Sequence, residues 1–274
     1  MLALVGAVLA AIAYGAATVL QAIGVRRLRE APTGSSLLAR CRAGWLYAAG
    51  LALDAVGFVL SFAALRSLPL FLVESMLASS VGVTAVLAVI WLGVRLSRLE
   101  VGALAVTGIG LVLLAISAQE GAARTLDSRG GWLLLGGGVA IAVVFGLGMA
   151  DRNRARSSIT LAVASGLGFG LSGIVARVLN TSNPLWHTVF QAQLWALILA
   201  GAVALVAYGF ALDRGRTTSV AAITFAVETI VPAAIGLAFL GDEIRRGLVV
   251  VAVLGFVITL GGCLALAGHA EIEA

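Results

Sequence analysis

Nine apolar stretches, each near twenty residues long, follow one another along this chain at 2–25, 44–65, 69–92, 101–118, 132–150, 158–180, 185–211, 218–240 and 247–268. About 20 residues is what a helix needs to cross a ~30 Å hydrocarbon core. Inside that core the backbone finds no water to bond, so a helix that satisfies its own N–H and C=O groups is the only open-ended structure available. The pattern predicts an all-α integral membrane protein of about nine transmembrane helices. Composition agrees: 61% of residues are hydrophobic, only 11% are charged and the mean hydropathy is +1.09, against about 25% charged in a soluble domain. The first stretch has no basic residues ahead of it and runs straight into Arg26 and Arg27, which reads as a retained helix and not a cleaved signal peptide.

Orientation follows from arginine. Alternate loops on one side hold Arg26, Arg27, Arg29, Arg40, Arg42, Arg95, Arg98, Arg152, Arg154, Arg156, Arg214 and Arg216, twelve in all. The other side holds five: Arg66, Arg124, Arg129, Arg245 and Arg246. The bias predicts a plasma-membrane protein with its N-terminus outside and its C-terminus cytoplasmic. The net charge of +5 therefore reports topology and does not suggest a nucleic-acid partner. Cys41 and Cys263 lack CxxC spacing and imply neither a disulfide framework nor a metal cluster.

The chain also echoes itself. Tyr14-Gly-Ala-Ala-Thr-Val-Leu in segment 1 matches Phe169-Gly-Leu-Ser-Gly-Ile-Val in segment 6, and Gly93-Val-Arg-Leu before segment 4 matches Gly241-Asp-Glu-Ile before segment 9, at offsets of 155 and 148 residues. This predicts two four-helix repeats, segments 1–4 (residues 1–118) and 6–9 (158–274), joined by segment 5 and its flanking loops (119–157). The single extra crossing inverts one repeat against the other. Many secondary transporters are built so, with the substrate held near the midplane between halves that rock around it.

Particular runs carry a family resemblance. Trp45…Gly50-Leu-Ala-Leu-Asp-Ala-Val-Gly-Phe, Ala64-Leu…Pro69-Leu-Phe-Leu-Val-Glu and Gly93-Val-Arg-Leu…Gly102…Gly108-Ile-Gly in the first half resemble the drug/metabolite transporter superfamily, as do Ser165-Gly-Leu-Gly-Phe-Gly-Leu-Ser and Phe239-Leu-Gly-Asp-Glu-Ile in the second. EamA-like proteins and the nine-helix NIPA-like magnesium-transporter branch are the most similar groups. The resemblance spans roughly residues 5–268 and implies a carrier with inverted halves. Asp54 stands where NIPA-like proteins tend to carry an acid. At Val73-Glu-Ser-Met-Leu-Ala-Ser-Ser-Val the chain lacks the proline and glycine of that branch's pattern.

Acids within apolar stretches single out candidate residues. Asp54 lies ten residues into segment 2 and Glu228 ten residues into segment 8, about 15 Å deep at 1.5 Å per residue. An intramembrane carboxylate costs on the order of 2.5–3.5 kcal/mol on insertion scales and so faces a polar cavity or a partner. Thr224 and Pro232 flank Glu228 by one turn on the same face, and Pro232 has no N–H for the Glu228 carbonyl, which frees that oxygen for a cation or water. Glu74 lies near the start of segment 3, within the reach of a snorkelling side chain that could pair with Arg66. His187, Gln191 and Trp195 are spaced by four and predict a polar stripe on segment 7. Arg177 reads as a snorkelling cation at the end of segment 6. Gly166, Gly170 and Gly173 make a small-residue face that lets helices approach closely; the Gly166-Leu-Gly-Phe-Gly run follows no strand and is no nucleotide loop.

These readings converge on a secondary transporter working by alternating access, coupled to protons or cations, with no cofactor and with membrane lipids and a small-molecule or cation substrate as partners. Asp54, Glu74, His187, Gln191, Thr224, Glu228 and Pro232 are its candidate pathway, and Asp54 and Glu228 would be the metal ligands if a cation is bound. A NIPA-like divalent-cation carrier and a flippase for a lipid-linked sugar are the alternatives within transport, and a noncatalytic membrane assembly subunit is the alternative outside it. Enzyme activity is not expected, since no paired nucleophile and base or His-Glu-x-x-His cluster occurs. A homodimer is left open.

Overall fold

A computed structural model describes residues 2–30, 37–92, 97–119, 121, 128–179, 185–215 and 217–269. Ten α-helices account for nearly all of them: α1 (Leu2–Glu30), α2 (Leu37–Leu65), α3 (Leu70–Ala78), α4 (Ser80–Leu92), α5 (Arg98–Ser117), α6 (Ser128–Ala150), α7 (Arg154–Val178), α8 (Ala192–Arg214), α9 (Thr217–Ile235) and α10 (Val249–His269). Counting α3 with α4 as one span, eight are long and apolar enough to cross a bilayer, and Val249–Ala265 of α10 is a shorter apolar stretch. The architecture fits a multi-pass membrane protein.

Local chemistry sets the helix ends. Ser97 and Glu100 form a capping box at the start of α5, the Ser97 Oγ accepting from the Glu100 N–H and the Glu100 carboxylate accepting from the Ser97 N–H, so two orphan donors are satisfied reciprocally. Asn153 Oδ1 accepts from the Ala155 and Arg156 N–H groups at the start of α7. Pro69, extended at φ −60° and ψ 147°, opens α3, where a missing N–H costs nothing.

Three departures from the expected spans have visible causes. Segment 3 is not one continuous helix; it bends at Ser79, where Ser79 Oγ donates to the Met76 carbonyl and Ser75 Oγ and Thr84 Oγ1 donate to the Phe71 and Ser80 carbonyls. Such back-bonding hydroxyls compete with the backbone ladder. Segment 7 opens with a 3-10 turn, Leu185–Phe190, and becomes α-helical only after Gln191, which is extended at φ −80° and ψ 130°. The expected stripe His187, Gln191, Trp195 therefore does not share a helix face; the Trp195 indole N–H instead donates to the Val189 carbonyl at 2.9 Å. Segment 8 runs as α-helix through Pro232 and leaves α geometry only at Gly236–Leu240, a π-helical turn. Gly241 follows at φ 78°, a conformation glycine adopts without steric cost. An otherwise all-α chain also carries two short strands, β1 (Ala118–Gln119) and β2 (Glu243–Ile244), paired antiparallel.

The helices associate in two sets. In the first half α1 packs along α2 and against α3 and α4; in the second α7 packs along α8 and against α9. Between the halves α3 meets α9 and α5 runs against α10. The expected linker, α6, lies against α7 and α8. The largest buried apolar cluster joins both halves at the end where α2 finishes and α3 begins, through Leu65, Leu68, Leu70, Val73, Leu114, Ile174 and Leu240. This is the arginine-poor end of the bundle; the loops near Asn153 and Gly215 lie at the arginine-rich end.

Candidate functional site

The acids of the apolar helices lie at the junction of the halves. Asp54 on α2 is half-buried, and its Oδ2 accepts from the Gln21 side-chain N–H at 2.5 Å, bridging α1 and α2. Glu74 on α3 is only 5% exposed. It does not snorkel, and Arg66, its expected partner, is exposed and donates instead to the Leu179 carbonyl. The Glu74 carboxylate lies against Gly173 of α7, where a side chain would collide with it. Glu228 on α9 is half-buried and within electrostatic range of Glu74. Tyr14 of α1 is within range of all three acids, with its ring against Gly57 of α2. Among the described residues neither Glu74 nor Glu228 has an ion-pair partner.

The glycine stripe of α7 is what lets α9 come this close. A Cβ on Gly166 would lie 2.7 Å from the Thr224 carbonyl oxygen, and one on Gly170 would lie 2.8 Å from Cγ of Pro232. Thr224 is spent on this seam: buried, it donates to the Ala162 carbonyl at 3.2 Å. The Glu228 carbonyl, expected to be free for a cation, faces Gly170, 3.5 Å from where a Cβ would stand. Pro232 is buried in the same contact. Gln191 caps α8 at the arginine-poor end, and the His187 side chain lies outside the described residues. Asp54 and Gln21 thus pair across α1 and α2, Glu74 and the Glu228 backbone meet the glycine face of α7, and Thr224 and Pro232 pack against the same face. Gln21 and Tyr14 were legible as polar groups in an apolar stretch; attention to formal charge passes over them. Among the described residues no three His, Cys, Asp or Glu side chains converge to hold a metal ion.

Arg177 is not a snorkelling cation. It is 2% exposed and makes a buried ion pair with Asp242: its Nε and Nη2 donate to Oδ1 at 3.0 and 2.6 Å. The other Asp242 oxygen accepts from the Leu70 N–H at 2.6 Å, and Arg177 also donates to the carbonyls of Leu65 and Gly121. Both buried ions thus have hydrogen-bond partners beyond one another, as a buried charge requires. In the sequence Asp242 reads as a loop residue. It is the π-helical turn and the positive φ of Gly241 that fold it back, its own N–H donating to the Gly236 carbonyl at 3.0 Å.

Set against models of known protein families, against curated proteins and against solved structures, the chain matches none.

Proposed function

We propose that the chain is a secondary transporter of the plasma membrane, coupled to protons or cations, with nine spans in two inverted four-helix repeats joined by the fifth. The observation that carries this reading is that Glu74 and Glu228 both approach the glycine face of α7, Glu74 at Gly173 and the Glu228 backbone at Gly170. Each acid comes from a different half, both sit within the apolar bundle, and neither has a basic partner among the described residues. Two like charges so placed repel one another unless a proton or a cation joins them, and what joins them also ties the halves together. Tyr14, Gln21 and Asp54 extend the polar surface toward α1 and α2.

The packing scheme supports the repeat. The pairings α1 with α2 and α4, and α7 with α8 and α9, are what two equivalent halves would make, and α3 with α9 and α5 with α10 are what a pseudo-twofold axis between them would leave. The glycine of the first sequence echo does the same work in both places: Gly15 admits α4 at Ser80 and Val83, and Gly170 admits α9 at Pro232. The arginine bias supports an N-terminus outside.

The test is ligand-induced thermal stabilisation of the purified protein in lipid across inorganic and organic cations, for the parent, Glu74→Gln and Glu228→Gln. A bound cation at 100 times its Kd stabilises by about 2.7 kcal/mol. At least one cation should raise the parent's Tm and leave both variants unmoved. Equal responses in parent and variants, or none in any, overturns the reading.

A further inference from the structure

The hydrogen bonds described between the two halves all lie at the arginine-poor end. They are the Leu70 N–H to Asp242, Arg177 to Leu65, Arg66 to Leu179, and the strand contact with its neighbouring Arg245 N–H to Ser117 bond; the Arg177–Asp242 pair, which supplies two of them, lies within the second half. Toward the arginine-rich end the described polar contacts stay within a half. Asp54 bonds Gln21 and Thr84 bonds Gly15 in the first; Arg214 bonds Gly148 and Ser157, and Ser158 bonds Ala211, in the second. Apolar packing between the halves continues along the α5–α10 seam, where a Cβ on Gly262 would lie 3.1 Å from the Ala103 carbonyl oxygen, but away from that seam it divides in the same way. The half of segment 3 at the arginine-poor end, α3, packs on α7 and α9, whereas α4 packs on α1 and α10, with no comparable contact to α7 or α9 among the described residues. All of α3 but Leu77 is buried, while Val86, Ile90 and Trp91 of α4 are exposed.

We infer that the Arg177–Asp242 pair of the second half, by its grip on Leu65 and Leu70 of the first, is the gate of the arginine-poor end, shut in this structure. The inference rests on the transport reading for its purpose, since a rocking carrier must close one end when it opens the other. The pair suits the task. Asp242 comes from the turn after α9 and Arg177 from the end of α7, and together they bond the last carbonyl of α2 and the first N–H of α3, so one ion pair ties four helix ends from both halves. On its outer side Asp242 lines a cavity of about 710 Å³ with Gln119, Glu243 and Arg246. Opening at this end parts Asp242 from the Leu70 N–H and Arg177 from the Leu65 carbonyl, and the water it admits solvates both ions, which lowers the cost of breaking those bonds because electrostatic attraction weakens as the dielectric rises. Small changes at such a joint are amplified because packed interfaces switch between two arrangements and do not deform smoothly.

Accessibility of a single cysteine reads the gate without reference to any substrate. Ser61, 4% exposed and one turn deeper in α2 than Leu65, becomes the reporter as Ser61→Cys in a Cys41→Ser, Cys263→Ser background. In oriented proteoliposomes a membrane-impermeant maleimide should label the parent faster from the face opposite Glu243. Asp242→Asn should raise the rate from the Glu243 face at least tenfold, and Arg177→Lys, which keeps the charge but loses the two-pronged contact, severalfold. Folded variants that label from that face at the parent's rate overturn the gate, while cation binding at Glu74 and Glu228 could still stand. Failure of both variants to fold overturns it too, because a contact the fold cannot spare is a staple and not a gate.

Discussion

The contacts inside each half and the contacts between the halves are made differently. Inside, helices touch backbone to backbone over glycine: a Cβ at Gly24 would lie 2.5 Å from the Tyr47 backbone nitrogen, and one at Gly168 would lie 2.8 Å from the Ala200 carbonyl oxygen. Lipid removes the hydrophobic incentive for helices to associate, so close van der Waals contact of this kind is what holds a half together. Between the halves, the junction of α3 with α7 and α9 is short, carries buried charge and is bonded at one end. The seam of α5 with α10 is the exception, with Gly110 and Gly255 set against each other's helices. Two groups of helices joined along one glycine seam and hydrogen-bonded at one end have the form that the proposed rocking requires.

The largest effect should come from breaking a seam inside a half. Gly166→Val places its Cβ against the Thr224 carbonyl and 2.8 Å from the Val227 Cβ, atoms that cannot yield without moving α9. Overpacking of this kind costs about 1–3 kcal/mol and sometimes more, and here the upper end is expected, read as a lower Tm and less monodisperse protein. Gly146→Val, with nothing within 4 Å of its Cβ, should leave both unchanged. Equal losses in the two would mean that glycine serves backbone flexibility and not close approach.

A smaller contrast lies within segment 3. Leu72 in α3 is 1% exposed and Ile90 in α4 is 66% exposed. In a bilayer the transfer term for an apolar side chain nearly vanishes, because lipid tails are as apolar as leucine, and the cavity term remains. Leu72→Ala should therefore cost about 2 kcal/mol, the low end of the range for core truncations, and Ile90→Ala less than about 0.5 kcal/mol, both read as shifts in Tm. Comparable costs would place α4 in a packed interface.

The spans were legible in the sequence because a bilayer demands about twenty apolar residues of any helix that crosses it, and the glycine stripe of α7 because small residues at helical spacing have few other uses there. The bends were not. Ser75, Ser79 and Thr84 look like small polar residues until their hydroxyls are seen to take helix carbonyls. Arg177 was misread, and the snorkelling alternative for Glu74 fails, for one shared reason: distance along a helix was taken for depth in the membrane, which placed both at the surface. In the structure α3 begins beneath the turn that carries Asp242, and four residues from a helix start are already enclosed. Asp242 itself depends on a single positive φ at Gly241, which no apolar pattern announces.

The smallest effect is expected at Pro232, the residue whose sequence position suggested most. A proline inside a helix removes one backbone hydrogen bond and crowds the preceding turn, yet α9 continues through it and the crowding is taken up where its ring meets Gly170. Pro232→Ala returns an N–H to the Glu228 carbonyl, worth about 1 kcal/mol, and removes ring methylenes from the Gly170 contact, a loss of about the same size. The net change in stability should stay within about 1 kcal/mol. Because the carbonyl packs against Gly170 of α7, cation affinity should be unchanged within about twofold. The remaining question is what sets the π-helical turn that follows. Its geometry is held downstream, by the Gly241 φ and by the Asp242 N–H on the Gly236 carbonyl, so the turn should survive and Ser61→Cys should label from the Glu243 face at the parent's rate. If labelling rises instead, α geometry has spread through the turn. Each residue of an α-helix turns the chain by about 100°, so Asp242 would then be carried away from Arg177, and the proline, not Gly241, would be what holds the latch in register.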